Sequence, residues 1–319
     1  MKIGIIGSYN VGLFLAGSRI PGTGETVIGH QFYEGGGGKG SNQAIAAALF
    51  GADVSFMGRV GTDGYGRDAL AMYQRLGIST DRILQDPTIH SGISVIMVDE
   101  AGNNSIMVVP GANDHLSPAD IDAAEDWLKT CDWVGFQLEN PQKTVLHGIR
   151  AAFALGKRVL LDPAPACPLP ENIYPCLTCI KPNEHEASIL TGFPVTDAAS
   201  ALEAGRWFRR KGVQHSLITL GGNGAVLVDA DGEAVYRAPE VDMPIVDTTG
   251  AGDCFSGALL AELATGRTFR QAIPHALCAA TLSATRKGVV EALPSRREAD
   301  SLLAKQKKSL LIAREVTAE

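Results

Sequence analysis

The sequence contains no run of about 18 or more consecutive apolar residues, the length at which a helix could cross a bilayer. The apolar stretch 3–16 is interrupted by glycine and polar residues, so it predicts a buried strand and a glycine-rich turn rather than a signal peptide. An excess of positive charge is also missing, since the net charge is −7. We therefore expect no membrane span and no nucleic-acid partner.

The sequence has six cysteines but no regular cysteine framework. Cys176 and Cys179 form a single C-x-x-C pair without a second pair, which gives a zinc site little support. Free thiols are typical of a reducing compartment, so we expect a cytoplasmic protein. Internal repeats and low-complexity linkers are absent as well.

Over most of the 319 residues, short β-rich apolar runs alternate with helical patterns. This alternation predicts an α/β fold: a doubly wound, mostly parallel sheet with helices on both faces. Strands are predicted at 3–6, 54–57, 132–137, 158–162, 176–181 and 217–220. Helices are predicted at 43–50, 66–76, 118–130, 142–155, 198–211 and 255–263, and a helix with a polar tail at 295–319.

Two segments break the alternation. Segment 13–36 contains Pro21-Gly22 and reads as two extended pieces around a turn, and 91–109 contains a hairpin centred on 100–104. Both lie too close to the first strands to be ordinary crossovers. We expect them to form a small antiparallel sheet, a lid built from discontinuous segments. The α/β domain then comprises 1–12, 37–90 and 110–319.

The segment 247–258, DTTGAGDCFSGA, carries the strongest chemical signal. Its small residues leave the backbone amides at 250–253 uncovered at the start of an apolar helix, and such a helix terminus binds anions. Asp253 lies within it, and its carboxylate could accept a proton from a hydroxyl group during phosphoryl transfer. Read alone, the same pattern also fits a glycine-rich turn with an Asp cap.

A second glycine-rich segment, 35–42 (GGGGKGSN), precedes an alanine-rich helix. Its spacing does not match a P-loop, which would need glycine at Tyr33 and Ser or Thr at Gly40. Four glycines before a helix still indicate close approach of the backbone to a ligand. Lys39 and Asn42 supply polar groups beside it.

These two segments, in this order and near the two ends, resemble the ribokinase-like (PfkB) carbohydrate kinase family. The resemblance covers roughly residues 1–300 and includes motifs at 21–26, 110–113, 162–165, 181–184 and 285–288. It implies transfer of the γ-phosphate of ATP to a hydroxymethyl group of a pentose or related sugar or polyol, with Mg²⁺ and an activating K⁺. It also implies a homodimer formed through the lid.

The resemblance assigns roles to individual positions. For catalysis it implies Asp253 as the base, with an anion hole formed by the amides of Gly250, Ala251 and Gly252. For the sugar it implies Asn10, Gly38, Lys39, Asn42, Glu139 and Asp253. For ATP it implies Asn183, Glu186, Thr219, Gly221, Gly222 and Gly224, with Glu186 also reaching Mg²⁺ through water. For the monovalent cation it implies Asp247, Thr249, Ser283, Arg286 and Gly288.

The sequence departs from the family pattern at two of these places. Ala292 stands where the cation shell would have serine. Gly12 stands where an aspartate would grip sugar hydroxyls, and a lost charged partner costs about 1.5–3 kcal/mol. We expect extra room at Gly12, poor use of D-ribose, and improved use of ribose in a Gly12→Asp variant. Alternatively, Tyr9 or a water substitutes for the missing carboxylate.

Two other functions remain open at this point. A nucleoside kinase of the same fold would need a larger apolar or aromatic base pocket beside the lid. A non-catalytic sugar-binding regulator would keep the pocket and lose the base, and Asp253, Asn183 and Glu186 together argue against it. Read alone, however, Asn183 is a good helix cap and 219–224 is a hairpin turn.

Overall fold

The computed structural model describes residues 1–315 and has two sheets. The strands are β1 (Lys2–Ile6), β2 (Asn10–Gly17), β3 (Gly29–Gly37), β4 (Asp53–Gly61), β5 (Ser79–Asp86), β6 (Gly92–Val98), β7 (Asn104–Val109), β8 (Trp133–Phe136), β9 (Arg158–Leu161), β10 (Cys179–Ile180), β11 (His215–Thr219), β12 (Ala225–Asp229), β13 (Gly232–Tyr236) and β14 (Leu311–Glu315). The α-helices are α1 (Lys39–Leu49), α2 (Gly64–Arg75), α3 (Pro118–Asp122), α4 (Glu125–Thr130), α5 (Gln142–Ala154), α6 (Glu184–Thr191), α7 (Ala198–Arg210), α8 (Ala251–Ala264), α9 (Phe269–Ala284) and α10 (Arg296–Lys305).

The main sheet has ten strands in the order β14-β13-β12-β11-β10-β9-β8-β1-β4-β5. Neighbouring strands from β11 to β5 run parallel, while β12, β13 and β14 extend the sheet in antiparallel pairs. The predicted α/β class with a mostly parallel sheet is therefore confirmed. Among residues 1–315, no helix is both long and apolar enough to span a membrane.

Two hydrophobic cores flank the main sheet because alternate side chains of each strand point to opposite faces. In β1, Ile3 and Ile5 belong to the core that contains α1, α8 and α9, while Ile6 belongs to the other core. Leu217 and Ile218 of β11 divide in the same way. A strand buried on both faces explains why these runs are continuously apolar in the sequence.

The small sheet has the order β3-β2-β6-β7 and comes mainly from the two segments predicted to form the lid, although β2 begins at Asn10 and β3 ends at Gly37, outside the predicted 13–36. The predicted small sheet is present, and its central pair, β2 and β6, is parallel rather than antiparallel. The outer pairs, β2–β3 and β6–β7, are the expected antiparallel hairpins. Between the two hairpins the chain forms α1, β4, α2 and β5, and it re-enters the small sheet in the direction of β2.

Besides shifts at the ends of other elements, three predicted elements are divided, shortened or partly replaced in the structure. The helix expected at 118–130 is divided into α3 and α4 at Ala124, whose φ of −101° and ψ of 10° are not helical. The strand expected at 176–181 is reduced to β10, because Cys176 ends a 3-10 helix that contains Pro175. The polar tail expected after α10 includes the edge strand β14; residues 316–319 lie outside the described part. The six cysteines are unpaired.

Helices α1 and α8 cross closely because Gly257 has no side chain. A Cβ atom on Gly257 would lie 2.6 Å from the Cβ of Ala46 and 3.0 Å from the amide nitrogen of Ala47. Both of those contacts are on α1, which cannot move without displacing its buried neighbours. The crossing determines how the first turns of the two helices meet, where the candidate site lies.

We predict that Gly257→Ala lowers the thermal midpoint and the free energy of unfolding by about 1–3 kcal/mol, because overpacking outweighs the better helix propensity of alanine. Gly64→Ala is the matched control, since the nearest atom to its added Cβ is the Arg67 Nη2 at 3.9 Å. The control should be neutral or stabilising in the same denaturant titration. Equal effects of the two substitutions would contradict the close crossing.

Candidate active site

The candidate site lies where the first turns of α1 and α8 meet. Gly250 precedes α8 with a φ of 76°, a left-handed conformation that favours glycine. The N–H groups of Gly250, Gly252 and Asp253 have no acceptor within residues 1–315. The amide of Ala251 donates to the carbonyl of Thr248 at 3.2 Å, so its contribution to an anion hole stays a prediction. The free amides and the helix dipole make this terminus suitable for an anion.

The carboxylate of Asp253 is buried in the first turn of α8, with only 5% of the residue exposed. Asn42 Nδ2 donates to one oxygen at 2.8 Å and Gln43 Nε2 donates to the other at 3.3 Å. Burial raises the pKa of Asp253; the charge of Lys39 opposes that shift, whereas Asp162 adds to it. The group is therefore a stronger base than an exposed aspartate.

Lys39 is the cation that faces this carboxylate. The charge of Asp253 is the main cause that raises the pKa of Lys39, and burial opposes it. Asp162, Glu139 and Glu186 act in the same direction as Asp253. Lys39 therefore stays protonated at neutral pH and provides positive charge beside Asp253.

A buried ion pair between Lys181 and Asp162 contacts the start of α8. Lys181 Nζ lies 2.8 Å from Asp162 Oδ2 and donates to the carbonyl of Gly252 at 3.1 Å. The Asp162 oxygen also accepts hydrogen bonds from Ser256 Oγ at 2.9 Å and from Gln43 Nε2 at 3.0 Å. The pair therefore links the ends of β9 and β10 to the turn that carries Asp253.

On the lid side, polar groups converge on the start of α1. Glu139 Oε2 accepts from Ser8 Oγ at 2.5 Å and from the amide of Lys39 at 2.9 Å. Gly38 has a φ of 91°, and a Cβ there would lie 2.8 Å from the Asn10 nitrogen, so this approach requires glycine. The site thus brings Asn10, Gly38, Lys39, Asn42 and Glu139 close together.

The side chain of Asn10 is oriented by Asn113. Asn113 Nδ2 donates to Asn10 Oδ1 at 2.9 Å and to the carbonyl of Tyr9 at 2.8 Å, while Asn113 Oδ1 accepts from the Tyr9 amide at 3.0 Å. Because the oxygen of Asn10 is already an acceptor, its NH₂ group is the one available to a ligand. Asn10 therefore offers a hydrogen-bond donor to the pocket.

A cavity of about 550 Å³ lies on the other side of the first turn of α8. Ala251 and Gly252 line it, together with five of the residues predicted for ATP: Asn183, Thr219, Gly221, Gly222 and Gly224. Its remaining wall is largely apolar and includes Pro239, Val241, Ile245, Phe255, Leu277 and Ala280. This arrangement suits a flat apolar ring at one end and phosphates at the glycine-rich end.

Asn183 and Glu186 form a capping box at the start of α6. Asn183 Oδ1 accepts from the Glu186 amide at 2.8 Å, and Glu186 Oε2 accepts from the Asn183 amide at 2.9 Å. Asn183 is therefore a helix cap, and the other oxygen of Glu186 remains available. Burial raises the pKa of Glu186 and the charge of Asp162 adds to the shift, so a bound cation would relieve the cost of its charge.

The two segments predicted for a monovalent cation are adjacent. The amides of Val246 and Asp247 donate to the carbonyl of Ala284 at 2.8 and 3.1 Å. The guanidinium of Arg286 donates to the carbonyl of Ala292 at 3.4 Å. Within residues 1–315 no group of three or more His, Cys, Asp or Glu is placed to hold a metal. A site here would therefore depend on carbonyl oxygens, which suit K⁺.

The expectation of extra room at Gly12 is wrong. A Cβ on Gly12 would lie 2.8 Å from Phe14 Cε2 and 3.5 Å from Ile96 Cδ1. Tyr9 does not replace the missing carboxylate, since its ring is buried in the main core with its centroid 6.3 Å from that of Tyr73. Gly12→Asp alone would collide with Phe14.

Sequence reasoning missed Gln43, Gln137 and Asn113 as contributors to the site. Gln43 was detectable, because residues 39, 42 and 43 share one helix face at spacings of three and four. Gln137, which donates to Gln43 Oε1 at 2.6 Å, follows β8 and has no such local signal. Asn113 reaches Asn10 across 103 positions of the chain, a contact that only folding creates.

The chain is similar in sequence to a family of kinases over nearly its whole length. The model of the pfkB family of carbohydrate kinases matches residues 2–296. A bifunctional ribokinase/ribose-5-phosphate isomerase A of Fructilactobacillus sanfranciscensis is 35% identical over 297 residues, which cover 92% of this chain and 55% of that protein. The deoxyribokinase of Salmonella typhimurium is 36% identical over 296 residues, 92% of this chain and 96% of that protein.

Among solved structures, the ribokinase of Arabidopsis thaliana, complexed with ribose and ATP, superimposes with a TM-score of 0.88. It is 28% identical, and the match covers 96% of this chain and 99% of that one.

We predict that Lys181→Met alone destabilises the protein by about 3–5 kcal/mol, because it leaves the buried Asp162 carboxylate unpaired. The double variant Asp162→Asn/Lys181→Met should recover part of that loss, since neither charge remains. Denaturant titration of the three proteins measures both effects. A single variant as stable as the unchanged protein would show that the pair does not support the turn.

Proposed function

The chain belongs to the pfkB family of carbohydrate kinases, and we propose that it transfers the γ-phosphate of ATP to a hydroxymethyl group of a pentose or related sugar, with Asp253 as the base. Its relatives and structural neighbours make it an ATP-dependent sugar kinase. The position of Asp253 carries the proposed mechanism. The carboxylate lies between the polar groups on the lid side and the glycine-rich end of the 550 Å³ cavity.

In this mechanism the nucleotide occupies the cavity and the sugar occupies the lid side. Asn10, Glu139 and the amides near Gly38 hold the sugar hydroxyls and place one hydroxymethyl group against Asp253. Asp253 accepts the proton of that hydroxyl as it attacks the phosphoryl group. Asn42 and Gln43 keep the carboxylate oriented through their hydrogen bonds.

The phosphoryl group is stabilised at the start of α8. The amides of Gly250, Gly252 and Asp253 point to the helix terminus, where the dipole favours negative charge. Lys39 adds a full positive charge from α1. Mg²⁺, held near Glu186 through water, would supply charge neutralisation of the β- and γ-phosphates.

Neither alternative function is favoured by the geometry. A nucleoside kinase needs room for a base beside the lid, but Phe14, Ile96 and Val289 fill that place, each less than a tenth exposed. A non-catalytic regulator would not need a buried carboxylate whose pKa is raised. Burying such a charge lowers stability, and catalysis explains why it is kept.

A homodimer through the small sheet is supported by its outer face. Leu15, Phe32, Met107 and Val109 lie on this face, and between 42% and 68% of each is exposed. An exposed apolar sheet face is a common site of pairing between copies.

We predict that Asp253→Asn lowers kcat at least about 100-fold and changes ATP binding little, because the general base is lost and the cavity is not. The exposed Asp126→Asn is the control. Steady-state kinetics and nucleotide titration measure the two effects. Turnover of the variant within about threefold of the unchanged enzyme would remove Asp253 from this role.

The raised pKa of Asp253 should also affect the pH dependence of kcat/KM. As the pH falls, Asp253 becomes protonated, so kcat/KM should decline with an apparent pKa above the ordinary aspartate value of about 3.9. Lys39→Gln removes the charge that lowers this pKa and should move the decline to higher pH. An unchanged profile in that variant would contradict the pairing of the two groups.

We predict that the enzyme requires Mg²⁺ and is faster in K⁺ than in Na⁺ or Li⁺ at equal ionic strength. Carbonyl oxygens of the 247–249 and 283–288 segments would replace the hydration shell of the larger cation more easily. Initial rates in the three chloride salts test this. Equal rates in K⁺ and Li⁺ would contradict a monovalent site, and Ala292 would be the residue that accounts for its loss.

A further inference from the structure

One face of the small sheet looks toward the active site, and Gly12 lies on it. Side chains alternate along a strand, so Asn10, Gly12 and Phe14 of β2 share this inner face. Gly35 of β3 and Ser94 of β6 pair with Gly12 and flank it on the same face. The inner face therefore extends from Asn10, which belongs to the candidate site, past Gly12 to Phe14.

The ring of Phe14 occupies the space that a side chain at position 12 would take. Its Cε2 and Cζ atoms would lie 2.8 and 3.3 Å from a Cβ on Gly12. Gly12 does not have a positive φ, so its backbone conformation would accept any residue. Glycine therefore makes room for the ring, and position 12 itself offers a ligand no polar side chain.

Phe14, Ile96 and Val289 form an apolar wall in which each residue is no more than 9% exposed. Tyr33 stacks on Phe14 with ring centroids 4.5 Å apart and an interplanar angle of 5°. Val289 extends the wall to the catalytic turn, because a Cβ on Gly250 would lie 2.8 Å from Val289 Cγ1 and 3.8 Å from Asn42 Nδ2. The wall therefore borders the sugar pocket.

Two polar side chains lie at the edge of the wall. Ser94 is half-buried next to Gly12 and carries a neutral hydroxyl group. The carboxylate of Glu291 would lie 3.5 Å from a Cβ on Gly35, but Glu291 is exposed to solvent. The other acceptors of the site, Asn42 Oδ1, Glu139 and Asp253, belong to the cluster around the first turns of α1 and α8 rather than to the surroundings of Gly12.

We propose that the substrate is a deoxy sugar, in which a CH₂ group replaces the CHOH group that would face Gly12. Phe14 determines this specificity. The inference rests on the proposed sugar kinase function. A hydroxyl group held against the wall would lose its water and find no buried charged partner, whereas a CH₂ group would pack on the ring. The phosphorylated hydroxymethyl group stays at Asp253.

The first test compares D-ribose with 2-deoxy-D-ribose, 3-deoxy-D-ribose and 1,4-anhydro-D-ribitol, each of which lacks one ribose hydroxyl. We expect one of the three deoxy compounds to exceed ribose in kcat/KM by about tenfold, the effect of one unpaired hydroxyl. Ribose equal to or better than all three would overturn the proposal.

Variants of the wall separate specificity from general damage. Phe14→Ala admits water beside Gly12 and should reduce the deoxy preference severalfold, and Gly12→Asp/Phe14→Ala, with both a carboxylate and room for it, should shift the preference toward ribose. Phe153→Ala, an exposed aromatic truncation on α5, should leave the ratio unchanged. An unchanged ratio in Phe14→Ala would overturn the role of Phe14.

Sugar binding, measured by calorimetry in the presence of a non-hydrolysable ATP analogue, distinguishes failure of this inference from failure of the proposed function. Absence of turnover with every sugar would overturn the proposed function, while the ratio of dissociation constants for ribose and the deoxy sugars still decides the inference. If the double variant does not fold by circular dichroism, the unchanged protein and Phe14→Ala decide it.

Discussion

The site depends on one buried negative charge, the Asp253 carboxylate at the start of α8. Burial makes the charge costly, and the surrounding groups reduce that cost without removing it: two amide donors from α1, the charge of Lys39, and the free amides of the helix terminus. The first turns of α1 and α8 must meet at this carboxylate. The close crossing of the two helices at Gly257 and the ion pair beneath Gly252 hold them in that position, so the site depends on both.

The same constraint explains how the two ligand regions differ. The nucleotide cavity is built from glycine turns, a helix terminus and apolar side chains, which suit phosphates and a flat ring, and Glu184 is a charged residue on its lining. The lid side places its buried acceptors near Asp253 and Glu139 and becomes apolar toward Phe14 and Val289. The lid therefore does more than cover the pocket, because its inner face contributes to the choice of sugar.

Much of the site was accessible from the sequence because its parts are local. Asp253 and Gly250 lie within one turn, the glycines before α1 lie within four positions, and Asn183 and Glu186 are three apart. The α/β alternation was readable for the same reason. The parallel pairing of β2 with β6, the edge strand β14 and the roles of Asn113 and Gln137 were not readable, since each depends on segments far apart in the chain.

Gly12 shows most clearly the difference between what the sequence determines and what the tertiary structure determines. By itself the sequence determined that no carboxylate is present at this position, that the catalytic turn is complete, and that the chain resembles sugar kinases. Whether the missing side chain left a space was decided only by the tertiary structure. The ring of Phe14, two residues along on the same face, lies over Gly12 because Ile96, Tyr33 and Val289 from three other segments hold it there. Packing is a property of segments that meet in space, and no spacing along the chain records it.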